Sequence, residues 1–100
     1  MIYKILNNPS VKHDIIEATN YYKKINPNLS KQFLVRLREA VHYLSNSPEK
    51  FQVKYKQVRT LLLRQFPYHI HYLIDDEKRQ VIILAIIHAY KNPIDYSNRK

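Results

Sequence analysis

The stretch that decides the fold runs from Gln57 to Pro93 and reads QVRTLLLRQFPYHIHYLIDDEKRQVIILAIIHAYKNP. It holds three apolar runs, and the charged turn Asp75–Arg79 separates the second run from the third. The second run, Tyr68–Ile74, alternates in the way of a strand, and the third, Val81–Ile87, is apolar at every position. An uninterrupted apolar run rich in Val and Ile is typical of a strand buried on both faces. With a first strand over Val58–Phe66, the stretch predicts a three-stranded antiparallel meander.

The chain before and after the meander supplies the remaining elements. Ile2–Leu6 predicts a short strand, and two amphipathic helices follow it, separated by the break Asn26-Pro27-Asn28. Such an αα-hairpin must bury its apolar stripes, and the meander is the partner available. Glu49–Lys56 is predicted to be a basic, aromatic loop, and Asn92–Lys100 a tail with one helical turn. The predicted fold class is α+β, in the order β-α-α-β-β-β: an antiparallel sheet with an αα-hairpin on one face, in a single domain over residues 1–100.

The composition excludes several classes of protein. The 100 residues contain no Cys and no Gly. Without Cys there are no disulfides, thiol nucleophiles or Cys-ligated zinc, and without Gly there is no Walker or dinucleotide-binding loop. No cofactor is therefore predicted. No apolar segment approaches the length of a membrane span, and the start of the chain is too short and polar for a signal peptide. We expect a soluble, cytoplasmic protein.

The charge points to an anionic partner. Seventeen Lys and Arg stand against eight Asp and Glu, for a formal net charge of +9. Such an imbalance predicts attraction to phosphate backbones or to an acidic protein, and salt would weaken both interactions. Salt dependence alone therefore does not separate the two partners. The residues predicted to contact nucleic acid or a partner lie around the first meander strand and in the tail: Lys50, Lys54, Lys56, Arg59, Arg64, Tyr96 and Arg99.

A set of short motifs occurs in a fixed order along nearly the whole chain. They are Ala18 with Tyr21-Tyr22, Phe33 and Leu37, Asn46-Ser47-Pro48-Glu49, Val58-Arg59, Phe66-Pro67-Tyr68 with Ile70 and Tyr72, and His88 with Lys91-Asn92-Pro93. In this order and spacing the chain resembles the RelE/ParE toxin superfamily of bacterial type II toxin–antitoxin systems. The resemblance implies a small basic toxin that is neutralised by a tightly bound antitoxin, ParD-like or similar.

The resemblance leaves two modes of action open. RelE-like members cut messenger RNA in the ribosomal A site without a metal, whereas ParE-like members poison DNA gyrase. The Tyr-Tyr helix, the Phe-Pro-Tyr strand and the His88 strand end look closer to the ParE-like side, whose members are often called plasmid-stabilisation proteins. The resemblance thus implies growth inhibition through gyrase, and a non-toxic antitoxin-binding member of the family is a further alternative.

A metal-free nuclease would need a general base, a general acid and cations beside the phosphate. The residues available for these roles are His88, Tyr90, Lys91, Arg59 and Arg64. In a regular strand His88 and Tyr90 share a face with Leu84 and Ile86, while Arg59 and Arg64 fall on opposite faces of their strand. At most one of the two arginines would then join His88. This set is thinner than that of RelE-like nucleases, so whether the chain is an enzyme stays open.

Two further patterns have structural interpretations. His69 and His71 lie two positions apart on one strand face, which is a metal-compatible spacing, but a zinc site needs a third ligand. A polar sheet surface is the favoured interpretation, and no metal site is predicted. The tyrosines Tyr22, Tyr68 and Tyr72 are predicted to be core residues whose hydroxyl groups reach the edge of the core.

Overall fold

The structure is a computed structural model that describes residues 2–91 and 94–99. Its strands and helices follow the predicted order along the chain, with one additional strand. The elements are β1 (Lys4–Asn7), α1 (Ser10–Ile25), α2 (Pro27–Asn46), β2 (Val53–Tyr55), β3 (Val58–Leu62), β4 (Tyr68–Asp75) and β5 (Gln80–His88), with single 3-10 turns at Pro48–Lys50 and Ser97–Arg99.

One five-stranded sheet forms the base of the molecule, in the order β1-β5-β4-β3-β2. The strands β3, β4 and β5 pair antiparallel, as the predicted meander requires. β1 pairs parallel to β5, so the sheet is mixed rather than wholly antiparallel. β5 is buried on both faces, because Val81 and Ile83 meet the helices while Leu84 and Ala85 belong to a second core on the opposite face. The α+β class and the meander are thereby confirmed.

Two predicted boundaries are wrong. The segment Glu49–Lys56, predicted to be a loop, contains the edge strand β2, which pairs with β3 across a β-bulge. Three residues are too few to show an apolar alternation, so the sequence does not reveal this strand. The first strand of the meander ends at Leu62 rather than Phe66, because Gln65 takes a left-handed φ of 73° in the bend that follows.

The αα-hairpin has almost no loop. α1 ends at Ile25, and α2 begins two residues later at Pro27, with Asn26 between them in an extended conformation. The Asn26 side chain accepts the N–H of Asn28 at 2.9 Å, and so caps α2 in place of the missing helical partner. Proline at the first helical position loses no hydrogen bond, since that N–H would be unpaired in any case.

An aromatic cluster joins the hairpin to the sheet. The Phe33 ring of α2 lies 5.8 Å from that of Tyr22, 5.4 Å from that of Phe66 and 5.2 Å from that of Tyr68, measured between centroids. Phe33 is fully buried, and Tyr22 and Tyr68 are buried beside it. Tyr72 lies deeper, and its hydroxyl donates to the Pro48 carbonyl at 2.5 Å. The predicted core role of Tyr22, Tyr68 and Tyr72 is confirmed.

The tail covers part of the other face of the sheet. Tyr96 is buried there against the second core, which contains Val58, Leu84 and Ala85. The tail also contains the predicted single helical turn, at Ser97–Arg99. The predicted positions Asn92 and Pro93 lie outside the described residues.

A chain without glycine must place other residues in left-handed turns. Lys56 and Gln57 form the two-residue connection between β2 and β3, with φ of 42° and 68°. A non-glycine residue in this region pays about 1 kcal/mol, because its Cβ approaches a carbonyl oxygen. Glycine has no such penalty, although it loses more backbone entropy on folding.

Replacement of Gln57 by glycine removes about 1 kcal/mol of strain and costs about 0.5 kcal/mol or more of backbone entropy, so we expect the free energy of unfolding to rise by up to about 0.5 kcal/mol. Urea unfolding measures the change, and Gln52→Gly is the matched control, since Gln52 is exposed and does not have a positive φ. We expect the control to be unchanged or less stable. If Gln57→Gly were no more stable than Gln52→Gly, the turn would carry no strain.

Candidate functional site

The candidate site lies where β5 ends beside the start of β4. His88 pairs with Tyr68 across the two strands, and their rings lie 5.2 Å apart. The Tyr90 ring, 5.3 Å from His88, is 83% exposed. The Tyr90 N–H donates to His88 Nδ1 at 3.2 Å, which assigns the proton of the neutral ring to Nε2. In this arrangement the free nitrogen of His88 is a donor, so a general-base role needs the other tautomer.

A β-bulge changes the predicted faces of β5. His71 pairs with Ala85 but Tyr72 pairs with Ile83, so Leu84 is an extra residue in β5. Leu84 consequently belongs to the second core, while Ile86 packs with the helices. The prediction that Leu84 shares a face with Ile86 and His88 is wrong, because regular alternation does not continue through a bulge.

A cavity of about 870 Å³, here called the tail cavity, surrounds His88. It is bounded by β5, by the acidic side of α1 and by the tail, and its lining includes Glu17, Tyr68, His88, Tyr90 and Lys91. Burial raises the pKa of Tyr68 to about 12, and the carboxylate of Glu17 acts in the same direction. The Tyr68 phenol therefore stays protonated at neutral pH, so it keeps an O–H to donate and does not act as a base.

Arg59 does not reach this site. Its guanidinium donates to two backbone carbonyls, those of Glu49 at 3.3 Å and Phe51 at 2.5 Å. Arg59 pairs with Tyr72, four residues along β4 from Tyr68, which corresponds to about 13 Å of strand. Arg59 thus fixes the segment before β2 and is two strands away from His88 in the sheet.

Arg64 also lies apart from His88. It follows Leu63 in the bend after β3, outside the strand, so its predicted placement on a strand face opposite Arg59 is wrong. Arg64 lines a separate cavity of about 320 Å³ beside α2, together with Arg36, Glu39 and Tyr43. Of the five residues proposed for phosphate chemistry, the structure brings together His88, Tyr90 and Lys91 and leaves out both arginines.

The basic residues of the β2 region line a second cavity on the sheet face opposite the helices. This cavity, here called the sheet cavity, has a volume of about 610 Å³ and shares His88 and Lys91 with the tail cavity. Lys54 and Lys56 also line it, whereas Lys50 is exposed in the turn before β2. Lys56 forms an ion pair with Asp95, with its Nζ 2.6 Å from Oδ2, and this bond lowers the pKa of Asp95 to about 2.

His71 forms the polar floor of the sheet cavity. Its Nδ1 lies 3.0 Å from the Tyr55 hydroxyl, which in turn accepts the Tyr96 N–H at 3.2 Å. When the neutral His71 ring carries its proton on Nε2, the Tyr55 hydroxyl donates to Nδ1. Desolvation by burial lowers the pKa of His71 to about 4, and His69 and Arg99 add to the effect. Desolvation also lowers the pKa of His69, as does the charge of Lys54.

The predicted contact residues of the tail are engaged within the chain. Tyr96 is 7% exposed, and its ring lies 5.0 Å from that of His71. The Arg99 guanidinium donates to Asp14 Oδ2 at 2.9 Å and to the Leu84 carbonyl at 3.2 Å. Sequence reasoning missed the contributions of Asp14 and Tyr55, and no local signal could reveal them, because their partners are far away along the chain.

No group of three His, Asp or Glu side chains that could hold a metal is found among residues 2–91 and 94–99. His69 and His71 have rings 6.2 Å apart, and Nδ1 of His71 is already hydrogen-bonded to the Tyr55 hydroxyl. Over the same ranges, no helix is long and apolar enough to cross a membrane.

Comparison with known proteins identifies the family. The family model described as the ParE toxin of the type II toxin–antitoxin system, parDE, matches residues 5–93. The chain belongs to the ParE toxin family. This ParE-family chain is similar to Toxin ParE2 of Mycobacterium tuberculosis, with 29% identity over 84 residues that cover 83% of this chain and 78% of the relative. The resemblance inferred from the motifs is confirmed, and the protein is a toxin of a type II toxin–antitoxin system.

Two solved structures share the ParE-family fold. A chain of the chromosomal ParDE toxin–antitoxin system from P. aeruginosa superposes with a TM-score of 0.76 at 18% identity, and covers 87% of this chain and 96% of its own. A chain of the RelBE2 toxin–antitoxin complex from Mycobacterium tuberculosis superposes with a TM-score of 0.58 at 21% identity. The match covers 88% of this chain and 99% of the other. At these identities the matches show the fold alone.

The depressed pKa of His71 predicts a dependence of stability on pH. The pKa of His71 is about 4 in the folded ParE-family chain and near the ordinary histidine value of 6.5 when unfolded, so the unfolded state binds the proton more tightly. The contribution of neutral His71 to the free energy of unfolding is fully present above pH 6.5 and is lost as the pH falls toward 4. Because His71 is partly exposed and solvent screens its charge, this contribution amounts to about 1–2 kcal/mol.

Urea unfolding between pH 7 and 4.5 tests this prediction. We expect His71→Gln to flatten the decline in the free energy of unfolding, and His13→Gln, on the exposed side of α1, to leave the decline as in the wild type. If the free energy of unfolding of His71→Gln fell with pH as steeply as that of the wild type, the proton taken up on unfolding would bind to a residue other than His71.

Proposed function

We propose that this ParE-family toxin inhibits growth by binding DNA gyrase, and that a ParD-like antitoxin bound to the toxin prevents this. In this proposal the protein acts as a binding poison and catalyses no hydrolysis. The observation that carries the proposal is the separation of the residues that RNA cleavage would use: His88, Tyr90 and Lys91 lie together, whereas Arg59 and Arg64 lie elsewhere.

Metal-free cleavage of RNA makes strong demands on geometry. A base must take the 2′-OH proton, and cations must stand beside the charge that develops on the phosphate. Here Lys91 is the single cation of the predicted catalytic set at the tail cavity, and Arg59 is bonded to two carbonyls more than a strand away. The His88 nitrogen that accepts a proton is occupied by the Tyr90 N–H. These features favour binding over catalysis.

The charge distribution supports an acidic antitoxin. The solved relatives are described as a ParDE system and a RelBE2 toxin–antitoxin complex. A formal charge of +9 on 100 residues favours association with an acidic chain, which electrostatic steering would accelerate. The exposed lysines Lys50, in the turn before β2, and Lys54, in the lining of the sheet cavity, are the residues that we propose for such contacts.

A second candidate function is a ribosome-dependent endonuclease that cuts mRNA. It is favoured by the contact of His88 with Tyr90, whose rings are 5.3 Å apart, and by the position of Lys91 in both cavities. In that case His88 and Tyr90 would transfer protons, and Lys54 or Lys91 would contact phosphate.

Induction of the toxin without its antitoxin distinguishes the two functions. DNA, RNA and protein synthesis are followed over the first minutes for the wild type and for the variant His88→Ala/Tyr90→Ala. The control His13→Ala/Tyr21→Ala removes an exposed His and an exposed Tyr from α1. The gyrase function predicts stalled replication, an SOS response and intact messages, with both variants still toxic.

A prompt stop in translation with cleaved messages would contradict the gyrase function and support the nuclease. In that case His88→Ala/Tyr90→Ala should lose activity by orders of magnitude, since both proton carriers are removed. Continued growth with folded, soluble toxin would instead indicate a family member that binds the antitoxin without being toxic.

A further inference from the structure

One edge of β5 is only half covered by its neighbour. β1 ends at Asn7, which pairs with Ile83, and the last bond between the two segments runs from the Asn8 N–H to the Ile83 carbonyl at 2.9 Å. The residues of β5 from Leu84 onward therefore extend beyond β1. Unpaired backbone groups at such an edge invite the addition of another strand.

An ion pair between α1 and the tail closes this open edge. Asp14 Oδ2 accepts the Ile86 N–H at 3.0 Å, and the Arg99 guanidinium donates to the Leu84 carbonyl at 3.2 Å. Arg99 also donates to Asp14 Oδ2 at 2.9 Å, so the two side chains act as one unit. A residue of a parallel strand opposite Ala85 would make the same two bonds, because parallel ladders join each residue to the carbonyl before and the N–H after its partner.

The same tail segment is held at two other points. The Tyr96 N–H donates to the Tyr55 hydroxyl, and Asp95 forms the ion pair with Lys56. Lys56 and Asp95 are exposed, so this ion pair contributes little. The side chain of Asp14 is only 12% exposed, and its bonds to Arg99 and to the Ile86 N–H are shielded from water. Of the two ion pairs that hold the segment, the one made by Asp14 is the better shielded.

We propose that residues 94–99, here called the tail strap, form a latch with a docked and a released state, and that Asp14 is the positioning residue that holds the docked state. In the docked state Tyr96 is buried, and the Arg99 guanidinium is bonded to Asp14 and to the Leu84 carbonyl. Release presents both side chains and opens the Leu84–Ile86 edge to an added strand. The latch does not depend on whether gyrase or RNA is the target.

Two probes report the state of the latch. The exchange rate of the Ile86 amide, measured by NMR, reports the opening of the edge, and that of the Ile70 amide, in the central strand β4, reports global unfolding. A nitroxide on Asn98→Cys reports the mobility of the tail strap, since Asn98 is exposed and the chain has no other thiol.

The decisive variants alter Asp14 in two ways. Asp14→Ala is expected to accelerate Ile86 exchange at least 10-fold (about 1.4 kcal/mol, by the conversion of a tenfold ratio) and to mobilise the nitroxide. Asp14→Asn keeps an acceptor for the Ile86 N–H but loses the ion pair, so the nitroxide should be mobile while Ile86 stays largely protected. Glu17→Ala, one turn along α1 and with the same loss of charge, should change neither probe.

A wild-type Ile86 rate and an immobile nitroxide in Asp14→Ala would overturn the proposal. If Asp14→Ala accelerated amide exchange at Ile70 as much as at Ile86, the variant would be globally unstable. The variant Arg99→Gln would then test the proposal instead. In that variant Asp14 still accepts the Ile86 N–H, so a folded Arg99→Gln protein with a mobile nitroxide supports the latch. An immobile nitroxide there contradicts it.

Discussion

Replacement of Phe33 by alanine should lower the free energy of unfolding by about 3–5 kcal/mol, the largest effect that we expect from a single substitution. Phe33 is fully buried and contacts the rings of Tyr22, Phe66 and Tyr68, which come from α1, the β3–β4 bend and β4. Its removal leaves a cavity where the hairpin meets the sheet, and also removes three aromatic contacts. A domain of this size has a total stability of about 5–15 kcal/mol, so the loss is a large share.

Urea unfolding at neutral pH measures this loss, with Leu34→Ala as the neighbouring control. Leu34 is 38% exposed, so we expect its truncation to cost clearly less than that of Phe33. Phe33→Leu, which keeps most of the apolar volume, should fall between the two. A loss below about 1 kcal/mol for Phe33→Ala would show that the cluster is not the core of the fold.

Reversal of the charges at Lys50 and Lys54, in and just before β2, should have the largest effect on binding. Lys50→Glu with Lys54→Glu changes the formal net charge from +9 to +5, since each substitution removes one positive charge and adds one negative charge. Both lysines are exposed, and neither forms an ion pair among residues 2–91 and 94–99. We expect association with an anionic partner to slow at least about 10-fold at low salt, because steering depends on the local field.

The measurement is stopped-flow association with the antitoxin and, separately, with the gyrase–DNA complex, at 50 mM and 500 mM salt. Lys12→Glu with Lys31→Glu is the matched control, because it makes the same change of net charge on the helical layer. We expect the difference in association rate between the wild type and Lys50→Glu/Lys54→Glu to be smaller at 500 mM salt than at 50 mM salt, since salt screens exposed charges. Equal slowing by both double variants would mean that the total charge, and not the charge around β2, steers the partner.

The sequence reveals those elements whose pattern is local. β5 is recognisable from its apolar run, β4 from its alternation, and the helices from their apolar stripes, because burial on one or both faces leaves a period in the sequence. The strand β2 leaves none, since it has three residues at the edge of the sheet. The ParE family is recognisable from a set of short motifs that together span nearly the whole chain.

The candidate site is harder to predict because it depends on register and distant contacts. The bulge at Leu84 reverses the faces of β5, and only the pairing of β4 with β5 shows it. Arg59 has the chemistry of a phosphate ligand, yet its position opposite Tyr72 places it beside the carbonyls before β2. The Asp14–Arg99 pair joins residues 85 positions apart, so no local pattern predicts it.

Incubation of the purified toxin with DNA gyrase and relaxed plasmid is the most direct test of the proposed function. We predict that the wild type and His88→Ala/Tyr90→Ala both stop supercoiling and accumulate cleaved gyrase–DNA complexes, and that the antitoxin reverses the effect. Unimpaired supercoiling, together with message cleavage on translating ribosomes that the double variant loses, would contradict the proposal.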